Sequence, residues 1–224
     1  ADEGASPAGS ERTGAAPASA PEIGVQGVGG DLPRFAMEAV AIAEAPESVL
    51  PAGTVLITED SRGVGAALAA SLGRRRVPAR LIDCGGLAPE EAYELLDRML
   101  GEVDDLAAVV FLPPMNPVRP LAELSIAEWR QRLRRETGCL FRFAQHVVPA
   151  LAGRANWGPR PLLLAATTLG GHFALGPRAE GELFPPGHGG ICGLMKTLAV
   201  EHPELGVKVV DLDGREAADE MAEH

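Results

Sequence analysis

The residues best placed to do chemistry sit at one tight turn. Thr58-Glu59-Asp60-Ser61-Arg62-Gly63-Val64-Gly65 follows the apolar, β-branched run Thr54–Thr58. It opens a segment with Val64, Leu68 and Leu72 at four-residue spacing. The pattern reads as strand, turn and helix. In such a turn glycines let the backbone approach a pyrophosphate, and the helix N-terminus holds its charge. Thr58, Gly63 and Gly65 keep that signature, but Glu59 stands where the first glycine is expected, and Asp60 comes next. A carboxylate beside a pyrophosphate costs about 1–4 kcal/mol, depending on the local dielectric. The turn therefore keeps the form of a dinucleotide-binding loop and is expected to have lost the affinity. Asp83 ends the next strand, where an acidic residue would meet an adenosine ribose. Beside a spoiled turn it reads as a solvated strand end.

No other cluster offers better chemistry. His146, His172, His188, His202 and His224 are scattered, and Cys84, Cys139 and Cys192 show no C-x-x-C spacing. Neither a zinc site nor a disulfide framework is indicated, and a reducing cytosol is the simpler setting. Cys192 reads as a packed thiol on an apolar helix. His172 and His188 could meet near one edge of the sheet, but two histidines alone do not specify a metal site. His202 reads as a helix-end residue.

The elements that must position these residues alternate in type. Strands are expected at Thr54–Thr58, Arg80–Asp83, Leu106–Leu112, Leu162–Ala166 and Val207–Val210. Helices are expected over Gly63–Leu72, from Pro89, from a capping box at Ser125-x-x-Glu128, and over Ile191–Val200. The long helix after Ser125 should break near Gly138. Leu106–Leu112 is unbroken apolar sequence, as a strand covered on both faces requires. Alternating strands and helices imply a doubly wound parallel α/β sheet with right-handed crossovers. Residues 1–31 are rich in Ala, Gly, Pro and Ser and have no hydrophobic period. They read as a flexible linker or a disordered terminus. A lead-in strand is expected over Arg34–Val40, a domain over 32–215 and an acidic tail over 216–224.

The chain has 224 residues, 46% of them hydrophobic but only 4% aromatic, so Ala, Val and Leu must build the core. A formal charge of −11 argues against nucleic acid or an anionic membrane surface as a partner. No run of 18 apolar residues marks a membrane span.

Three further stretches carry a resemblance. Trp129 to Leu151 (W-R-Q-R-L-R-R-E-T-G-C-L-F-R-F-A-Q-H-V-V-P-A-L) is similar to the short-chain dehydrogenase helix that carries a catalytic Asn. The Asn position falls on Glu136. L-L-L-A-A followed by Thr167-Thr168-Leu169-Gly170-Gly171 resembles the strand end that carries the catalytic Ser, which falls on Thr168. Gly193 to Glu201 resembles the helix after the family's Tyr-x-x-x-Lys, and an ungapped count places Tyr on Phe184 and Lys on His188. That chemistry needs a Tyr hydroxyl as acid and a Lys to tune it. Phe184 has no proton to give, and His188 is shorter than Lys and mostly neutral at pH 7. The single Tyr, Tyr93, falls on a different helix.

The pattern of losses resembles the structural, non-catalytic half of a polyketide-synthase or polyunsaturated-fatty-acid-synthase ketoreductase. Gly189-Gly190-x-x-Gly193-Leu194-x-Lys196-Thr197-Leu198-Ala199-Val200-Glu201-His202-Pro203-Glu204 is similar to its G-x-x-x-x-A-L-E-H-P-E segment. Val209-Val210-Asp211-Leu212-Asp213 resembles the segment that closes it. Pro33-Arg34-Phe35, with Pro46 and Pro51, resembles the entry strand and its loop. The resemblance implies a Rossmann-like fold, full-length or truncated, with degenerate catalytic and cofactor-binding positions and no metal. It implies a cytoplasmic chain and a partner subdomain that binds NADPH and reduces β-ketoacyl thioesters on an acyl carrier protein. Two alternatives stay open: a divergent active reductase using Thr168, and a carrier- or domain-binding pseudo-reductase module.

Overall fold

The computed structural model describes residues 52–83, 89–154, 159–176 and 181–223. The linker and lead-in strand expected before residue 52, and Cys84, lie outside them. The chain divides into two compact units, Ala1–Ala36 and Met37–His224, and all described residues belong to the second.

Five strands form one parallel sheet in the order β2-β1-β3-β4-β5. They are β1 (Thr54–Thr58), β2 (Ala79–Ile82), β3 (Leu106–Phe111), β4 (Leu162–Thr167) and β5 (Gly206–Asp211). Every pairing is parallel. Among the described residues six α-helices connect or extend them: α1 (Val64–Arg74), α2 (Pro89–Gly101), α3 (Ile126–Leu133), α4 (Cys139–Ala152), α5 (Pro186–Glu201) and α6 (Ala218–Met221).

The sheet is apolar on both faces because both are covered. Leu56, Val109, Phe111, Leu163 and Ala165 join Leu96, Val147 and Met195 in one buried layer. Their strand neighbours Val55, Ile57, Ala108, Val110 and Ala166 point the other way and pack with Val64, Leu72 and Met221. A period of two with both phases buried is what a doubly wound sheet demands. The chain order reverses beside β1, so the crevice for a ligand falls at the C-terminal ends of β1 and β3.

Three sequence expectations change. The helix pair around Gly138 does not break. Arg134–Gly138 forms a π-helical turn that runs on into α4. The extra residue of a π turn rotates the helix beyond it, and Glu136 ends up inside. Second, α5 begins at Pro186 rather than Ile191, because Gly187, Gly189 and Gly190 hide a helical turn that propensity alone disfavours. Third, the stretch 216–224, expected as a tail, contains α6. Its Met221 is 2% exposed, and Glu223 accepts a hydrogen bond from Ser71 Oγ at 3.0 Å.

Candidate functional site

The turn after β1 is closed by its own side chain. Gly63 caps α1 with φ +84°, a conformation glycine adopts without strain. The Asp60 carboxylate then turns back onto the helix start. Oδ1 accepts the Arg62 N–H at 2.7 Å and Oδ2 accepts the Gly65 N–H at 2.8 Å. These are backbone donors of the kind that hold a phosphate at such a turn. In the sequence Asp60 is a source of repulsion. The geometry makes it an internal anion that occupies those donors. Arg62 is committed as well: its guanidinium donates to Gly214 O and, at 2.8 Å, to Glu216 O. Asp83 follows the last residue of β2, Ile82, and is exposed to solvent. These residues do not fit a bound dinucleotide pyrophosphate.

The four positions assigned by resemblance converge at the C-terminal end of β4 and the start of α5. Thr168 and Phe184 line a cleft of about 380 Å³, with Asn116 and Asp213 on other walls. Phe184 lies against Gly170, where a methyl group would stand 3.2 Å from its ring. The mouth carries Arg215, which binds Asp213 through Nε and, at 2.5 Å, through Nη2. Those hydrogen bonds hold the Asp213 carboxyl down at about 2.

His188 is fully buried. Its Nδ1 accepts the Thr168 N–H at 2.9 Å and lies 3.2 Å from Thr168 Oγ1. A backbone N–H can only donate, so Nδ1 must be the bare nitrogen and the ring proton sits on Nε2. Among the described residues Nε2 finds no partner. Burial, helped by the Arg132 charge and opposed by Asp211, pushes the imidazole down to about 4. The Thr168–His188 pair therefore has the outline of a nucleophile and base without the basicity, since its acceptor nitrogen is already used.

Glu136 is 3% exposed and its Oε1 accepts from Arg132 Nε at 2.7 Å. Burial raises its carboxyl, and the Arg132 charge pulls it only partly back. Oε2 lies against the Gly187 backbone, which helps hold the charge, yet no hydrogen bond of good geometry closes on it. Next to it, Thr137 Oγ1 donates to Gly187 O at 2.7 Å.

Asp211, which the sequence places in a closing segment without a role at the site, is an organiser. It accepts from Thr167 Oγ1 at 2.6 Å, Leu169 N–H at 2.7 Å and Phe173 N–H at 2.7 Å. These bonds hold the loop after β4, where Phe173 and Ala174 have φ +56° and +58°. Each left-handed residue costs on the order of 1 kcal/mol. The signal in the sequence is an acidic residue closing an apolar strand, Val209-Val210-Asp211.

The remaining candidates lie elsewhere or take local partners. Tyr93 stacks on His146 at 6.3 Å between α2 and α4, and His146 Nδ1 binds Asp97 at 2.5 Å. His172 Nδ1 pairs with Gly170 O rather than with His188. His202 Nδ1 meets Glu204 at 3.1 Å. Burial raises the thiols of Cys139 and Cys192. Among the described residues no group of three His, Cys, Asp or Glu could hold a metal ion, and no helix is long and apolar enough to cross a membrane.

No family model and no curated protein matches the chain. Solved structures do. TT0495 from Thermus thermophilus superposes with a TM-score of 0.57 at 23% identity, over 76% of this chain and 88% of that one. A short-chain type dehydrogenase/reductase from Mycobacterium marinum gives 0.56 at 17% identity, over 71% and 72%. The Pseudomonas aeruginosa RhlG–NADP complex gives 0.54 at 18% identity, over 71% and 72%. One of these three is named as a short-chain type dehydrogenase/reductase and one is a complex with NADP, and at these identities the likeness establishes a shared Rossmann-like fold.

Proposed function

We propose that this chain is a non-catalytic structural subdomain of a polyketide-synthase-type ketoreductase. It would support a separate catalytic subdomain that uses NADPH to reduce β-ketoacyl thioesters presented by an acyl carrier protein. The observation that carries the reading is the Asp60 carboxylate seated on the Arg62 and Gly65 amides. A fold kept for catalysis would leave those donors to a cofactor. The cleft points the same way, since Phe184 offers no proton and His188 is buried, neutral and engaged. What survives is the sheet and its two packed layers, which is what a scaffold needs.

The test is reconstitution in trans. The chain is mixed with a catalytic ketoreductase subdomain expressed without its structural half. The expected result is a complex by size exclusion, with a higher melting temperature and faster NADPH-dependent reduction of a β-ketoacyl thioester. No complex and no change in rate would reject the scaffold role. One observation favours the active-reductase alternative: Thr168 keeps a hydroxyl on the cleft wall. That alternative requires turnover by this chain alone.

A further inference from the structure

We propose that His188 is a proton-released latch between the end of β4 and the start of α5. The neutral ring holds the Thr168 amide; a charged ring lets it go and loosens the floor of the cleft while the rest of the sheet stays folded. This stands apart from the scaffold reading, because it needs neither a partner nor a cofactor.

The geometry makes the join a two-state contact. In the resting state Nδ1 accepts the Thr168 N–H at 2.9 Å. A proton on Nδ1 would turn acceptor into donor, and two N–H groups would face each other across that distance. Thr168 Oγ1, 3.2 Å from Nδ1, can take the new ring N–H, but the Thr168 amide is then left without its acceptor. The charged groups on the packed elements are Arg132 from α3, Glu136 from the π-helical turn and Asp211 from β5. Arg132 is cationic and repels a second positive charge. Glu136 is already bound to Arg132 at 2.7 Å. Asp211 attracts the ring, but its oxygens already take Thr167, Leu169 and Phe173. The residue after β4 is Thr168 itself, which is uncharged. The resting state is also imperfect, since among the described residues the buried Nε2–H has no acceptor. An unpaired buried donor is costly, so the ring is held at this contact without being fully satisfied.

The sign comes from the histidine being charged more easily when released. A folded value near 4 against 6.5 means the latch holds fully above about pH 6.5 and weakens as pH falls toward 4. Hydrogen exchange of single amides reads this directly, once corrected for intrinsic pH dependence. Protection of the Thr168 amide should fall about thirtyfold between pH 7.5 and pH 5. The Val109 and Leu163 amides, inside the sheet, should change little. In His188→Gln the side-chain oxygen can accept at every pH, so Thr168 protection should become flat. If that variant fails to fold, titration of the wild-type ring by nitrogen chemical shift decides alone, with a midpoint near 4 expected. Constant Thr168 protection to pH 5, loss in step with Val109 and Leu163, or a ring midpoint near 6.5 would each overturn the latch.

Discussion

Gly187→Ala should lower the unfolding free energy by about 3 kcal/mol, although the same change normally stabilises a helix. An alanine in a helix is worth roughly 0.5–1 kcal/mol over glycine. At Gly187 that gain is overrun by crowding. A methyl group there would overlap Glu136 Oε2 and stand 2.9 Å from Glu136 Cβ. Glu136 cannot swing away, because it is almost fully buried and tied to Arg132. Overpacking of this kind costs about 1–3 kcal/mol, and displacing a buried ion pair takes it to the upper end. In a domain of this size the melting temperature should fall by roughly 6–12 °C. Gly193→Ala is the control. It lies on the same helix with nothing within 4 Å of the added methyl, so it should be neutral or stabilising. Equal melting temperatures for the two variants would mean that α5 does not pack on Glu136 as described.

The second large effect concerns the pair itself. Glu136→Met should destabilise by about 3 kcal/mol, because it leaves the Arg132 guanidinium poorly solvated and without its counter-charge. Arg132 is 15% exposed, so water replaces little of what the carboxylate provides. Adding Arg132→Met should recover most of that loss, since apolar replacements of a buried pair are often neutral or better. The raised carboxyl of Glu136 points the same way: burial outweighs the attraction of Arg132. A double-mutant cycle in urea measures the coupling. Simple additivity of the two single changes would show that the two side chains do not act as a pair.

The strands are legible in the sequence because their cause is local and repeated. Leu106–Leu112 is apolar in both phases of a period of two, and only a sheet covered on both faces accepts that. The capping box at Ser125 is legible for the same reason, and Glu128 N–H does donate to Ser125 Oγ at 3.2 Å. The start of α5 is not legible. Its glycines look like helix breakers until Glu136 and Thr137, some 50 residues earlier, are set against them. A methyl group on Gly190 would stand 2.5 Å from Thr137 Oγ1.

The site is legible as a set of positions rather than as an arrangement. Thr168, Phe184, His188 and Glu136 are located by their place in resembling segments. Which of them line the cleft and which lie beneath it depends on the π-helical turn, and no spacing rule announces that turn. Asp60 shows the limit most clearly. Its charge can be read, and a conflict with phosphate can be argued. That the carboxylate takes the amides for itself depends on one backbone turn and two hydrogen bonds.

In the proposed scaffold role, the turn after β1 keeps a cofactor-binding form without the function. Isothermal titration of the intact chain with NADPH tests it most directly, followed by assay with a β-ketoacyl thioester. The expected result is no saturable binding tighter than about 1 mM, equivalent to a binding free energy no better than about −4 kcal/mol, and no oxidation of NADPH. Micromolar binding with thioester-dependent oxidation of NADPH would contradict it.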